Sequence, residues 1–177
     1  MGPAQRRPFR RIPVRRCGTG GGTMDTVTPV VDPLLRLVPA RPEHLPMLAA
    51  LMNLTIRPWV EVTFERWNED MARASIHDDV VNGRASLILV DEQIAGVIAI
   101  RDEPARLHLE KIYIHPDFQR QRLGTRLLTE LIARAAAVRR PLTLRVLSVN
   151  PARFLYERLG FVVTETTSEY LFMERKP

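Results

Sequence analysis

The sequence predicts an α/β fold: a single domain built on a mixed β-sheet of about seven strands, flanked by about four helices, with a parallel βαβ unit at its centre. Short apolar segments of strand length alternate with longer segments whose apolar residues recur at helical spacing. Near the middle, a strand at 106–114, a helix at 122–139 and a strand at 142–147 follow one another directly. A connection of this length joins parallel strands by a right-handed crossover. At 177 residues, the chain has room for one hydrophobic core and not for two.

The strands are predicted from short apolar, β-branched segments bounded by Gly, Pro, Asn or Asp. Two of them meet at Asp91-Glu92-Gln93, which predicts a hairpin. The seven predicted strands are 34–38, 86–90, 94–100, 106–114, 142–147, 161–165 and 170–174.

The helices are predicted from apolar residues at helical spacing and from their end signals. Pro42 opens the first helix and Pro58 limits it. The second is predicted at 63–75, with Phe64, Trp67 and Met71 on one stripe, and the third at 122–139.

The last helix has a signal at each end. Asn150 is a favourable N-cap with Pro151 at the first helical position, and Gly160 suits the C-terminal end.

The formal net charge of +6 belongs to the N-terminal segment. Residues 1–23 hold six arginines and no acidic residue, so residues 24–177 are formally neutral. A nucleic-acid-binding domain carries its basic patch on the folded part, so we expect no nucleic-acid partner for the fold.

Residues 1–33 are predicted to be a disordered tail before a domain at 34–177. Three explanations of residues 1–23 stay open: a true start at Met24, a basic arm that contacts an anionic partner, and a mitochondrial presequence. The prolines at positions 3, 8 and 13 count against the amphipathic helix that a presequence needs.

Several classes of protein are excluded by composition. The single cysteine, Cys17, lies in the tail, which rules out a disulfide framework and a catalytic cysteine in the fold. No apolar run approaches the ~20 residues of a membrane span, and no secretory signal is evident, so a cytoplasmic protein is expected. His44, His77 and His115 have no carboxylate or cysteine at ligand spacing, so no metal is predicted.

The most informative stretch runs from Leu107 to Leu128, LHLEKIYIHPDFQRQRLGTRLL, where an apolar strand enters a polar loop and a helix follows. The first N–H groups of a helix have no partner within it, and the helix dipole adds partial positive charge, so this junction favours an anion such as phosphate. Thr125 adds a hydroxyl donor.

Two motifs together resemble the GNAT superfamily of acyl-CoA-dependent N-acetyltransferases. The loop 119–124, Gln-Arg-Gln-Arg-Leu-Gly, resembles the family's pyrophosphate signature, (Gln or Arg)-x-x-Gly-x-(Gly or Ala). The stretch 148–161, SVNPARFLYERLGF, resembles the family's next motif: an Asn, a helix that carries a Tyr, and a Leu-Gly-Phe ending. The resemblance implies acetyl-CoA as acyl donor and a parallel strand pair that separates to admit the pantetheine arm.

The same resemblance implies a set of cofactor residues. Backbone amides of about 121–126 would hold the CoA pyrophosphate, and a backbone N–H at 112–114 would stabilise the oxyanion. Asn150 would contact pantetheine or only cap its helix. The residues expected at the cofactor are Ile112, Tyr113, Ile114, Gln119, Arg120, Gln121, Arg122, Leu123, Gly124, Thr125, Arg126, Asn150 and Arg153.

Arg122 departs from the signature, because it stands where the family has its first glycine. One interpretation gives it an ordinary helical φ and a side chain in solvent, since a positive φ is unfavourable for arginine. In the other, the guanidinium groups of Arg120, Arg122 and Arg126 neutralise the pyrophosphate and the 3′-phosphate.

The catalytic candidates lie on the strand before the loop and on the last helix. Glu110 and His108 are two residues apart on one strand face, and either could take the proton of an amine that titrates near ~10. A structural salt bridge on a solvated face is the alternative. By the resemblance, Tyr156 is the general acid for the leaving thiolate; positioning the sulfur or packing in the core are its other possible roles.

The predicted function is direct transfer of an acetyl group from acetyl-CoA to a primary amine in a ternary complex, by a monomer or homodimer. Without a cysteine in the fold, an acyl-enzyme route has no evident nucleophile. A small-molecule acceptor is favoured over a protein. A non-catalytic acyl-CoA-binding or interaction module is the alternative function.

The identity of the amine is open. The strand segment 109–114, Leu-Glu-Lys-Ile-Tyr-Ile, weakly resembles members that act on polyamines. The aromatic residues Trp59, Phe64, Trp67 and Tyr170 could line the acceptor pocket, or pack in the core.

Overall fold

A computed structural model describes residues 35–177, and the predicted tail at 1–33 lies outside the described residues. The strands are β1 Leu35–Pro39, β2 Ala85–Val90, β3 Gln93–Glu103, β4 Arg106–Ile114, β5 Leu142–Leu147, β6 Val162–Thr166 and β7 Tyr170–Arg175. The α-helices are α1 Leu45–Thr55, α2 Arg57–Phe64, α3 Glu69–Val81, α4 Leu123–Ala137 and α5 Arg153–Arg158. Short 3₁₀ turns lie at Pro42–His44 and Pro116–Phe118.

All seven strands form one mixed sheet in the order β1-β2-β3-β4-β5-β7-β6. Neighbouring strands are antiparallel except β4 and β5, which are parallel and joined through α4. The predicted fold class, with its central βαβ unit, is therefore confirmed, with five α-helices in place of about four.

The parallel pair is short. β4 and β5 are paired only at Leu107↔Leu142, His108↔Thr143 and Leu109↔Leu144. Beyond these positions β5 continues to pair with β7 as far as Leu147↔Tyr170. The two central strands therefore separate after Leu109 and Leu144, in the middle of the sheet.

Each face of the sheet carries its own hydrophobic cluster. On one face, β4 and β5 pack against the apolar side of α4, with Leu128 fully buried. On the other, β2 and β3 pack against α1 and α3 through residues such as Leu48, Ile76 and Val97. Burial of these side chains is worth about 25 cal/mol per Å² of apolar surface removed from water.

A β-bulge interrupts the alternation of β4. Ala99 pairs with Lys111 and Ile100 pairs with Leu109, which leaves Glu110 as the extra residue. Leu109 before the bulge packs in the α4 cluster, whereas Lys111 turns to the opposite face, where α3 lies. Strict alternation would have put Leu109 and Lys111 on one face. The bulge thus places two charged residues next to each other at the point where the strands separate.

The prediction of a single helix at 63–75 is wrong. The chain forms α2, leaves it through Glu65 at φ 58°, and starts α3 at Glu69. The side chain of Asn68 accepts a hydrogen bond from the backbone N–H of Met71 (3.0 Å), which is an N-cap. The signal for this break, Asn68 followed by two acidic residues in the first turn, was present in the sequence and outweighs the aromatic stripe.

Gly96 permits a close approach between β3 and β4. A Cβ added there would lie 2.2 Å from the backbone carbonyl oxygen of Tyr113, and backbone cannot rotate away as a side chain can. We expect Gly96→Ala to lower the free energy of unfolding by about 2–3 kcal/mol, because the strands must shift. Gly124→Ala is the matched control, since its Cβ would make ordinary contacts at 3.4 and 3.6 Å.

Urea unfolding followed by circular dichroism measures both variants. The control should stay within about 1 kcal/mol of the unmodified protein. Equal stability of the two variants would contradict the tight approach at Gly96.

Candidate active site

A cavity of about 800 Å³ lies where β4 and β5 separate, and residues from both faces of the sheet line it. On the side of α4 and α5, the lining includes Ile114, Gly124 and Tyr156; we call this the α4–α5 half. On the side of α1, α2 and α3, the lining includes the aromatic residues and Arg145, and we call this the α1–α3 half. The four aromatic residues considered from sequence, Trp59, Phe64, Trp67 and Tyr170, all line the α1–α3 half.

The loop between β4 and α4 is fixed by its two glutamines. Gln119 Nε2 donates to the carbonyl oxygen of Ile114 (2.9 Å), and Gln121 Nε2 donates to that of Asp117 (2.9 Å). These bonds hold the loop against the end of β4 and so position the first turn of α4.

The N-terminus of α4 has unpaired backbone donors. The N–H of Arg126 donates to the carbonyl oxygen of Arg122 (3.0 Å), and no side chain caps the helix. The N–H groups of Leu123, Gly124 and Thr125 therefore have no acceptor among the described residues. Three adjacent free donors at the positive end of a helix dipole are suited to a phosphate.

Tyr156 is held by the way that α5 ends. The N–H of Phe161 donates to the carbonyl oxygen of Tyr156 (3.1 Å), that of Gly160 donates to Glu157 (3.0 Å), and Gly160 has φ +83°. This is a Schellman motif, and its usual hydrophobic contact is made by the rings of Tyr156 and Phe161, 5.8 Å apart at 64°. The tyrosine ring therefore cannot move without disturbing the helix end.

Burial raises the pKa of Tyr156 to about 12, because the phenolate would lose its hydration in this site. The side chain is only 7% exposed. The phenol is therefore protonated throughout the neutral range and can donate a hydrogen bond or a proton.

Asn150 also lines the cavity, but it does not cap α5 as predicted. The helix begins at Arg153, and the side chain of Asn150 accepts from the N–H of Ala152 (2.9 Å) in the turn before it. Pro151 lies in that turn and outside the helix, because the turn is closed by local bonds before helical pairing begins.

Glu110 and His108 occupy different environments, although both come from β4. Glu110 lines the cavity, and its carboxylate lies 2.5 Å from Nη2 of Arg101 on β3. His108 does not line the cavity; its Nδ1 lies 2.8 Å from Oγ1 of Thr143 on β5. Desolvation lowers the pKa of His108, and the charge of Glu110 partly opposes this shift. Of the two base candidates, only Glu110 faces the cavity.

A buried ion cluster supports the α1–α3 half, and the sequence analysis missed it. The carboxylate of Asp79 in α3, which is 2% exposed, pairs with the ammonium group of Lys111 and with Nε of Arg84 (2.9 Å). Hydrogen bonding to Asp79 raises the pKa of Arg84. The available signal was a carboxylate on the apolar stripe of a helix, beside Ile76 and Val80, which predicts a buried cationic partner.

Two other features are absent from residues 35–177. No group of three or more His, Cys, Asp or Glu side chains is placed to hold a metal ion in this part of the chain. No helix within the same range is long and apolar enough to cross a membrane.

Comparison with known families decides the identity of the fold. Residues 55–171, which are well over half of the chain, match the family model of the acetyltransferase (GNAT) domain. The protein belongs to the GNAT acetyltransferase family. It is accordingly an N-acetyltransferase, as the resemblance predicted. Among curated proteins, none matches the sequence.

Solved structures with the same fold include the following three. PaiA N-acetyltransferase from Thermoplasma acidophilum, in complex with coenzyme A, has a TM-score of 0.64 and 18% identity, covering 81% of this chain and 99% of that one. Arabidopsis thaliana Naa50 with the bisubstrate analogue CoA-Ac-MVNAL has a TM-score of 0.60 and 17% identity, covering 81% of this chain and 99% of that one. The ribosomal-protein-S18-alanine N-acetyltransferase from Escherichia coli has a TM-score of 0.61 and 22% identity, covering 81% of this chain and 94% of that one. At identities of 17–22%, the structural similarity to these enzymes establishes a shared fold and nothing finer.

The predicted GNAT cofactor residues divide into two groups by position. Those that line the cavity are Ile112, Tyr113, Ile114, Gln119, Gly124 and Asn150. Those in the loop and helices beside it are Arg120, Gln121, Arg122, Leu123, Thr125, Arg126 and Arg153. Leu123 has a fully buried side chain, so only its backbone N–H is available to a ligand.

The interpretation that gives Arg122 an ordinary helical φ is wrong. Arg122 is the N-cap of α4 at φ 60°, and Arg120 has φ 61°. This is the left-handed conformation that a glycine of the GNAT signature adopts freely, and it costs a non-glycine residue about 1–2 kcal/mol. The hydrogen bonds of Gln119 to Ile114 and of Gln121 to Asp117 flank these two residues and support the left-handed backbone.

We expect Arg122→Gly to change CoA affinity by less than about tenfold, because the loop already has the backbone geometry of a glycine. Arg122→Ala is the matched control: it removes the same charge and keeps the strained backbone. Titration calorimetry with CoA at low and high salt measures both.

An equal loss in both variants that shrinks at high salt would show that the guanidinium pairs with phosphate. A loss above tenfold in Arg122→Gly would contradict the minor role expected here.

Proposed function

We propose that the protein transfers an acetyl group from acetyl-CoA directly to a primary amine of a small molecule, in a ternary complex. The observation that carries this proposal is the cavity at the separation of β4 and β5. It connects the α4–α5 half, beside the free amides of α4, with the aromatic α1–α3 half on the other face of the sheet. A donor and an acceptor could enter from opposite faces and meet between the strands.

The donor is assigned to the α4–α5 half. The pyrophosphate would accept hydrogen bonds from the N–H groups of Leu123, Gly124 and Thr125, with Arg120 and Arg126 nearby as cations. The pantetheine arm would run along the exposed edge of β4 at residues 112–114, towards Asn150. A backbone N–H of this edge would stabilise the oxyanion that forms on the acetyl carbonyl.

The chemistry requires three events. Glu110 accepts a proton from the ammonium group of the acceptor, directly or through water, and the free amine attacks the thioester carbonyl. The tetrahedral intermediate then loses the second amine proton to solvent and collapses: the C–N bond remains, the C–S bond breaks, and the electron pair leaves on sulfur. Tyr156 donates a hydrogen bond or its proton to that sulfur, and its buried phenol is in the protonated form that this role needs.

Glu110 is assigned as the base, ahead of His108, because it faces the cavity. Its ion pair with Arg101 fixes the carboxylate at the bulge and leaves its second oxygen free of ion pairs with described residues. His108 remains the second candidate, since it lies within the paired part of β4, where its ring contacts Thr143, and it does not line the cavity.

A non-catalytic acyl-CoA-binding module with this fold is the alternative. The presence of a carboxylate and a protonated phenol in one cavity favours an enzyme, because a binding module needs neither. A peptide or protein amine is the alternative acceptor: one neighbour named above holds the bisubstrate analogue CoA-Ac-MVNAL, and another is a ribosomal-protein-S18-alanine N-acetyltransferase. A cytoplasmic location and a monomeric or homodimeric state stay predictions.

The direct test is incubation of the full chain with acetyl-CoA and panels of amino acids, aryl amines, polyamines, aminoglycosides and peptides, with acetylated products detected by mass spectrometry. Transfer to a small amine supports the proposal. Acetyl-CoA binding without transfer to any amine would support the binding module instead.

We expect Glu110→Gln to lower kcat by about 10²–10⁴-fold with CoA affinity nearly unchanged, because it removes proton acceptance and keeps the shape. The acidic limb of the pH–rate profile should disappear with it. His108→Gln is the control. The base would instead be His108 if the acidic limb persists in Glu110→Gln and vanishes in His108→Gln. That limb should then lie below about pH 6.5, because burial lowers the pKa of His108.

We expect Tyr156→Phe to lower acetyl transfer at least about tenfold while CoA binding stays unchanged, because only the phenolic oxygen is lost. The ring contact with Phe161 should survive, so stability should change by less than about 1.5 kcal/mol. The loss should be smaller with an acyl donor whose thiol is more acidic, since a better leaving group needs less assistance.

Equal turnover of Tyr156→Phe and the unmodified enzyme at saturating substrates would show that the chemical step needs no tyrosine. Phe161→Leu serves as a control for packing alone.

A further inference from the structure

The charges of the α1–α3 half are unequal. Its lining includes one carboxylate, that of Glu110, and three cationic side chains: Arg66, Lys111 and Arg145. Glu110 is paired with Arg101 outside the lining, and Lys111 is paired with the buried Asp79. In the part of the chain that the structure describes, no carboxylate forms an ion pair with Arg66 or Arg145. Two uncompensated guanidinium groups therefore remain beside the aromatic walls.

Arg145 occupies a defined position at the opening. It is the first residue of β5 after the last parallel pair, Leu109↔Leu144, as Glu110 is the first residue of β4 after it. A carboxylate and a guanidinium thus stand on opposite strands at the point where the strands separate. The guanidinium of Arg145 lies 5.1 Å above the ring of Tyr170, which restricts its orientation.

The aromatic walls continue from this point. The ring of Phe64 in α2 lies 6.0 Å from that of Tyr170, and Trp59 and Trp67 line the same half. The charge of Arg145 also reaches Tyr113 across the cavity, where it opposes the rise in the pKa of Tyr113 caused by burial. The half therefore offers an apolar surface with one cation near the reaction point.

This composition disfavours a polyamine. An acceptor with several ammonium groups needs several carboxylates, and repulsion from two free guanidinium groups would oppose its entry. A single amine on an apolar body that also carries an anionic group satisfies both Glu110 and Arg145.

We infer that the acceptor is an amino acid with a large apolar or aromatic side chain, and that Arg145 determines this specificity. The inference rests on the proposed acetyl transfer. The amine would lie at Glu110 and the carboxylate at Arg145, with the side chain against Trp59, Phe64 and Trp67. Transfer forms the N–C bond and breaks the C–S bond. Of the two protons that the ammonium group loses, one passes to Glu110 and the other, through solvent or Tyr156, to the thiolate, so that CoA thiol and an N-acetyl amino acid are released. The product has lost its ammonium charge and its attraction to Glu110, which favours release.

Matched pairs of acceptors test the carboxylate. The full chain is assayed with saturating acetyl-CoA on L-phenylalanine against phenethylamine, on L-tryptophan against tryptamine, and on spermidine. We expect kcat/KM for each amino acid to exceed that of its decarboxylated partner by about tenfold or more, since a charge-assisted hydrogen bond to the carboxylate is gained. Spermidine should be the poorest acceptor.

A matched pair of arginine variants tests the residue. Arg145→Gln should raise KM for L-phenylalanine about tenfold with little change in kcat, and leave KM for phenethylamine unchanged. Arg158→Gln, an exposed arginine of α5 outside the cavity, should leave both unchanged. CoA affinity, measured separately by calorimetry, should be the same in all three proteins.

Two results would overturn the inference: turnover of the decarboxylated amines, spermidine or a peptide N-terminus equal to or above that of the amino acids, or an unchanged preference in Arg145→Gln. Those results leave acetyl transfer itself intact. CoA binding with no transfer to any amine is a different result, because it rejects the proposed function and this inference with it.

Discussion

β4 and β5 are paired at only three positions, after which each strand follows a different neighbour. β4 stays with β3 as far as Ile114, and β5 stays with β7 as far as Leu147. Every backbone donor and acceptor in a sheet needs a partner, so a gap in its centre is expensive unless a ligand or water supplies one. The cavity, the free edge of β4 and the access of Glu110 and Arg145 to the cavity all follow from this one separation.

Short backbone features then place the candidate catalytic residues around the gap. The bulge on β4 turns Glu110 and Lys111 towards the α1–α3 half, which a regular strand could not do with both. The Schellman ending of α5 holds the ring of Tyr156 at the other side. Each device is a short backbone feature, and each positions a side chain more rigidly than a loop would. The two halves of the site are thus built on the sheet and on helix ends.

Much of this could be predicted from sequence, and the failures have identifiable causes. Strand composition and the 106–147 βαβ pattern predicted the sheet, because burial on both faces leaves long apolar runs. The loop motif and the Tyr-containing helix predicted the family. The bulge at Glu110 was not predictable, since it depends on how β3 pairs with β4 and not on β4 alone.

Other failures came from competing local signals. An aromatic stripe at helical spacing outweighed the cap at Asn68, so two helices were read as one. A positive φ is unfavourable for arginine, and nothing in the local sequence at Arg122 predicts the φ of 60° that the structure shows. The pairing of Asp79 with Lys111 joins residues far apart in sequence, and only the fold brings them together.

The buried ion cluster restrains one wall of the α1–α3 half and not the other. Drawing α3 away from β4 would leave Asp79 and Lys111 charged and unpaired in a poorly hydrated place, which is opposed by several kcal/mol. No such restraint holds α2: it contributes no fully buried side chain and ends in the left-handed residue Glu65. Of the helices that line this half, α3 is therefore anchored by a buried charge pair, whereas displacement of α2 leaves no buried charge unpaired.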